Sequence, residues 1–276
     1  MIAFPSLTKR EIRFHYDLST LFYRLLWGRH IHHGLWEGNE SASVAQQRLT
    51  ETLAKLARVE RGNVVLDVGC GMGGSTMHLA RMECDVTGIT LSPVQRRWAA
   101  AESWCRGLSR RTRWLCGDAE SVDFPEESYD VVWSIECTEH FFDKPEFFRR
   151  AVRWLKPGGR MAICAWLAGD RTDADAVQKV VDVCEGFLCP SLGTSSDYCR
   201  WFTDAGLAVE SFADWTSQVG RTWEICDRRV RRSGIRHLAR FIDQETVRFL
   251  DRFHTILDAY HDGSMKYGCF IASKPN

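Results

Sequence analysis

The spacing of apolar residues changes character near residue 60. Before it, leucine and phenylalanine recur at intervals of three and four, in Leu18, Leu21, Phe22, Leu25 and Leu26 and again in Leu49, Leu53 and Leu56, which predicts helices across 8–58. A His- and Gly-rich stretch from Gly28, GRHIHHGLWEGNES, interrupts them as a loop. From Val64 onward short apolar runs alternate with helical stretches: VVLDVG, a helix over 75–81, CDVTGIT, a helix over 93–108, TRWLCGD, YDVVWSIE, a helix over 145–155, and RMAICAW. That rhythm predicts βαβ units and a parallel sheet. After Trp166 it stops, and about seventy residues read as helical and irregular, ahead of two last strand candidates, AVESFADWT and KYGCFIASKP. No internal repeat or low-complexity segment appears.

Composition narrows the function more than the fold. The 276 residues suit one generous α/β domain, and 36 Lys plus Arg against 36 Asp plus Glu leave no net field to gather phosphate backbones. Nucleic acid is therefore not an expected partner. Eleven Trp point to a wide apolar surface, in a core or a pocket. The eleven Cys are scattered without a CxxC pair, so neither a disulfide framework nor a zinc knuckle is indicated, and a reducing cytoplasm is expected. MIAFPSLTKREIRFHYD is no secretory leader, and no window approaches 18 apolar residues, so a soluble, unprocessed chain without stable membrane insertion is expected.

The segment VVLDVGCGMGGSTMHLA sets a strand, a turn with Gly69, Gly71, Gly73 and Gly74, and a helix in direct succession. Such a turn brings bare backbone N–H groups and a positive helix end up to a ligand. Its GxGxxG spacing also fits a dinucleotide site. That site wants an acid about twenty residues on, to hold the ribose; here the second strand ends GITLS, with Thr90 and Ser92 in that place. An acid, Asp67, stands instead just before the first glycine, suited to a cationic amino group.

Four segments in order, LDVGCGMGG, GITLSPVQ, GDAESVDFPEESYDVVWSIECTEHF and LKPGGRMAI, resemble the class I S-adenosylmethionine-dependent methyltransferases. HYDLSTLFYRLLWGRHIHHGLW and KYGCFIASKP are similar to the tocopherol and sterol branch of that class. The resemblance covers 12–166 and the final strand. It implies a Rossmann-like α/β fold with a seven-stranded, mostly parallel sheet whose last strand is antiparallel. It also implies an N-terminal helical lid over 1–60 and a core over 61–276 with a helical, acceptor-binding insertion at about 170–250. The implied cofactor is S-adenosylmethionine, leaving as S-adenosylhomocysteine. Gly69, Cys70, Gly71 and Gly73 would line its methionine and ribose portion, with Asp67 near the ammonium. Many members end the second strand with an acid; this chain departs from that, so the ribose would fall to Thr90, the Leu91 backbone and Gln95. Asp118 and Ala119 would receive the adenine edge, with Trp98 or Trp114 against its face.

Glu136 closes the fourth strand at the rim where open α/β sheets bind ligands. In similar enzymes this stretch faces the sulfonium, which makes His140 the candidate general base and Glu136 a positioning and cofactor-binding group. Glu139 reads as a solvated charge at a helix start. Tyr16, with Tyr23, His32 and His33, would close over the donor, and His33, Trp36, His140 and Trp166 would meet the acceptor. Trp201, Phe202, Trp215 and Trp223 offer further apolar pocket material. His30, His32 and His33 lack a Cys or carboxylate at ligand spacing, so no metal is expected. The basic run over 228–240 fits a solvated helix face, or an anionic acceptor or lipid headgroup. The expected reaction is methyl transfer to a carbon, oxygen or nitrogen of a small apolar phenol, quinol, terpenoid or indole, with carbon the branch-level leaning. The alternatives are a cyclopropane-forming lipid enzyme using the same donor, a nicotinamide oxidoreductase, and a non-catalytic donor-binding module. Oligomeric state is not legible.

Overall fold

The computed structural model describes residues 2–3, 7–233 and 244–276. Its strands are β1 (Ile2–Ala3), β2 (Val64–Val68), β3 (Asp85–Thr90), β4 (Thr112–Cys116), β5 (Tyr129–Ile135), β6 (Leu155–Ala168), β7 (Ser191–Leu192), β8 (Ala208–Asp214) and β9 (Met265–Ser273). Its helices are α1 (Lys9–Leu26), α2 (Ala42–Leu56), α3 (Gly74–Arg81), α4 (Pro93–Cys105), α5 (Lys144–Trp154), α6 (Ala174–Phe187), α7 (Ser195–Asp204), α8 (Thr216–Val219), α9 (Arg221–Ser233) and α10 (Gln244–His261). A short helical turn, Thr138–His140, follows β5.

Seven strands form one sheet in the order β4-β3-β2-β5-β6-β9-β8. The pairs from β4 to β6 are parallel, and β9 runs antiparallel to both β6 and β8, so six strands point one way and the last the other, as expected. The middle strands are apolar on both faces because helices cover both. Val131, Trp133 and Ile135 of β5 face one core with α2, α6 and α10, while Val132 faces the other with α5 and α7. The chain goes from β2 outward to β3 and β4, then returns to the other side of β2 as β5. The carboxyl ends of β2 and β5 therefore flank a topological switch point, where such sheets form a crevice.

Local signals account for the helix starts. Thr8 and Glu11 form a reciprocal capping box on α1. Ser92 accepts from the Gln95 N–H with Pro93 in the first turn of α4, and Asp143 caps α5 in the same way. The helix expected over 93–108 stops at Cys105, where Gly107 adopts φ of 70°. The helical span expected after Trp166 is not continuous. β6 runs to Ala168, and β8 lies inside the span, with α6 and α7 before it and α8, α9 and α10 after it. β8 answers to the strand candidate AVESFADWT and is an edge strand exposed along nearly its whole length. Of the basic run, Arg228, Arg229, Arg231 and Arg232 stand on the exposed side of α9, and its remainder from 234 lies outside the described residues.

Candidate functional site

The glycine turn after β2 divides its labour. Gly69 and Gly73 both have positive φ, and a Cβ on either would sit 2.3 Å from a neighbour, Cys137 for Gly69 and Trp114 for Gly73. Those two are required by packing. Gly71, with φ of 53°, would bring its Cβ no closer than 4.0 Å to any protein atom, so the space it leaves is the crevice itself. That crevice, about 730 Å³ with its open mouth, is lined by Gly69, Gly71, Thr90, Leu91, Gln95, Asp118, Ala119, Glu136, Tyr16 and His140. Nearly all of the residues expected to hold the donor thus meet in one place. A recess of about 340 Å³ continues past Gly69, Cys70 and Gly71 to Asp67 and Gly74.

The polar groups on these walls suit an adenosyl amino acid. Gln95 takes the Thr90 hydroxyl on its carbonyl at 3.1 Å, while its buried Nε2 has no partner among the described residues. That leaves a donor for a ribose oxygen. Asp67 accepts from Thr76 Oγ1 at 2.5 Å, and burial, only partly offset by that bond, pushes its carboxyl up to about 7. A cationic ammonium in the recess would restore its charge. Lys9 of α1, not anticipated from the sequence, reaches across to Asp118 at 3.0 Å and also contacts Glu120. Gly73 does not line the crevice. Neither does Trp98, which is partly exposed and bonded to Glu102, nor Trp114, which packs on Gly73.

A second cavity, about 460 Å³ with its open mouth, is walled by Tyr16, Tyr23, Trp27, Trp166, Phe187 and Trp223, with Glu139 and Cys189. It shares Tyr16, Ile31, Glu136 and His140 with the first. His140 is held from both sides. Its Nδ1 lies 3.0 Å from the Leu188 carbonyl, which accepts only if Nδ1 carries the proton, so Nε2 accepts from the Tyr16 hydroxyl at 2.7 Å. Burial pushes the imidazole down to about 4, so it is neutral near pH 7 rather than poised there.

Glu136 sits at φ of 52°, an unusual conformation for a residue with a side chain, and this turns its carboxylate into the protein. One oxygen accepts from the His33 N–H and the Tyr267 hydroxyl, each at 2.8 Å. The His33 ring Nδ1 lies 2.9 Å from the same oxygen but off the line of a hydrogen bond. Burial raises the Glu136 carboxyl, but His33 more than offsets it and holds the group below the usual range. His33 itself is buried behind Glu136 between Trp166, Trp223 and Tyr267 and lines neither cavity. Trp36 also stands away, its Nε1 donating to Thr222 at 3.0 Å with Arg221 over its ring.

Glu139 is not a solvated charge. It is 2% exposed, one oxygen accepts from the Trp166 N–H, and the other has no partner among the described residues. Burial pushes it up to about 8. Lys144 fastens this turn from below, donating at 2.8 Å to both the Phe141 carbonyl and Ser191. Among the described residues no three His, Cys, Asp or Glu gather as a metal site, and His30 and His32 bond each other at 3.0 Å.

With that geometry in place, known proteins can be set beside it. Residues 66–163 match the family described as a methyltransferase domain. The chain is 30% identical to a probable chloroplastic tocopherol O-methyltransferase of Oryza sativa subsp. japonica, over 94% of this chain and 76% of that protein. It is also 30% identical to 27-O-demethylrifamycin SV methyltransferase of Amycolatopsis mediterranei, over 98% of each. Among solved structures, the cyclase SpnF superposes with a TM-score of 0.86 at 24% identity, over 99% of this chain and 98% of that one, which speaks for the fold alone. The glycine crevice, the Gln95 amide and these relatives agree: the chain belongs to the class I S-adenosylmethionine-dependent methyltransferases, among relatives that methylate small molecules.

Proposed function

We propose that the acceptor is an apolar molecule carrying a ring hydroxyl, of the phenol or quinol kind, seated in the aromatic cavity with that hydroxyl toward Tyr16 and His140. The observation carrying this reading is the wall common to both cavities, formed by Tyr16, Ile31, Glu136 and His140. S-adenosylmethionine, when bound, supplies a methyl group already activated on a sulfonium. Gly71, Gln95 and Asp67 hold the donor from the glycine turn outward to the recess. Tyr23, Trp27, Trp166 and Phe187 exclude water and orient a flat apolar body, and alignment of this kind supplies much of the rate.

His140 Nε2 takes the acceptor's proton through the Tyr16 hydroxyl, which already donates to it at 2.7 Å. Glu136 fixes the sheet rim through His33 and Tyr267 rather than by touching the reacting atoms. Oxygen replaces the carbon expected from the sequence because both relatives at 30% identity are named for methylation of oxygen. All eleven cysteines are unpaired, in keeping with a reducing compartment such as the cytoplasm.

The test uses donor with a trideuteromethyl group and a panel of quinols, phenols, terpenoids and indoles, read by mass spectrometry. The expected product is a quinol or phenol methyl ether. Labelled methyl on carbon or nitrogen of the preferred acceptor would overturn the choice of oxygen.

A further inference from the structure

α1 is apolar on two opposite sides. Its inner side carries buried Ile12 and Tyr23, with buried Trp27 just past its end. Its outer side carries Phe14, Leu18, Leu21 and Leu25, at 62%, 48%, 58% and 69% exposure. Intervals of four, three and four place these in one stripe along the helix. α4 runs beside α1 in the same direction, tied near its start by Ser92 Oγ donating to Asp17 at 2.5 Å and near its end by Arg29 at 3.4 Å from Glu102. Its outward side adds Trp98 and Trp104, the latter 73% exposed. Scattered single apolar residues on a surface need no explanation, but a contiguous stripe with aromatic company does.

We infer that the outer sides of α1 and α4 dock on a lipid bilayer bearing anionic headgroups. Charge complementarity selects this occupant. Arg10, Arg13 and Arg97 stand exposed on these two helices against one exposed acid, Glu11, while Asp17 and Glu102 are half-buried against Ser92 and Arg106. An apolar stripe bordered by arginine, with indole rings beside it, is the pattern of a helix lying in the membrane interface. No helix among the described residues is long and apolar enough to cross a membrane, so the contact is with the surface. α1 also roofs the aromatic cavity through Tyr16 and Tyr23, so docking would set that cavity next to the phase into which apolar acceptors partition.

The test is flotation of the purified protein with phosphatidylcholine vesicles and with mixed phosphatidylcholine and phosphatidylglycerol vesicles, at low and at high salt. Binding is expected to the mixed vesicles at low salt and to fall as salt rises. Arg10→Ala and Arg13→Ala should each weaken it about fivefold, the worth of one cation near such a surface. Leu18→Glu with Leu21→Glu should weaken it by more than tenfold. These side chains are exposed, so S-adenosylhomocysteine binding should persist in every variant as a check of folding. No flotation of the unaltered protein, or flotation indifferent to the leucine pair, overturns the proposal. So does a dimer in light scattering that the leucine pair abolishes, which would give the stripe to a second copy.

Discussion

Substituting alanine at Gly71 separates what the glycine turn does for the fold from what it does for the ligand. The new Cβ would meet nothing nearer than 4.0 Å, so the only cost to the free protein is the left-handed backbone at φ of 53°. That strain is worth about 1–2 kcal/mol, which in a chain of this size lowers Tm by about 2–8 °C. The methyl projects into the crevice, where the proposed path of the donor along the backbone would leave no room for it. S-adenosylhomocysteine binding should weaken by tenfold or more, at least ~1.4 kcal/mol. Gly69→Ala is the contrasting control. It has the same backbone cost, and its Cβ meets Cys137 at 2.3 Å, so overpacking adds about 1–3 kcal/mol and the loss of Tm should be clearly larger. Calorimetric titration and thermal unfolding of both variants give the two quantities. Gly71→Ala that binds within about twofold of the unaltered protein would refute the assignment of this space to the donor.

Three other outcomes follow from the same geometry. Asp67, with its carboxyl up near 7, must lose a proton to meet an ammonium, so donor affinity should fall about tenfold per pH unit below 7; a flat titration from pH 5 to 8 would contradict this. His140→Ala should cut turnover about 10²-fold with S-adenosylhomocysteine affinity nearly unchanged, and Tyr16→Phe should reproduce most of that loss; an unaltered rate in either removes its part in proton transfer. Glu139 keeps its proton in the folded state up to about pH 8, whereas the unfolded chain releases it near the usual carboxylate value. The folded state therefore loses stability as pH rises between those values, and Glu139→Gln should gain on the unaltered protein from pH 5 to 8 and level off above, as read by denaturant unfolding.

The parallel sheet was legible because buried strands read as short apolar runs, and VVLDVG, YDVVWSIE and RMAICAW are bounded by glycine or charge. The glycine crevice was legible for a related reason, since a strand, a glycine turn and a helix start are contiguous in sequence. What was missed comes from far along the chain. Lys9 meets Asp118 across 109 residues, and Phe187 of α6 joins the aromatic cavity beside Trp223, which the sequence did offer as pocket material. Nothing local marks such residues. Glu139 was misread for another reason: an acid at a helix start is usually solvated, and only the packing of β6 and β7 against its turn makes it buried. His33 follows the same logic in reverse, since Ile31 and His32 before it line the site while its own ring turns into the core. A trace was present for α1, where Ile12, Tyr16, Tyr23 and Trp27 recur at intervals of four, seven and four.

The most direct test of the account is a crystal structure of the complex with S-adenosylhomocysteine. It should show the adenosine on Thr90, Gln95 and Ala119, the amino acid portion along Gly71 toward Asp67, and the sulfur at the wall of Tyr16 and His140, open to the aromatic cavity. A sulfur turned to the solvent mouth, or screened from that cavity by protein, would contradict it.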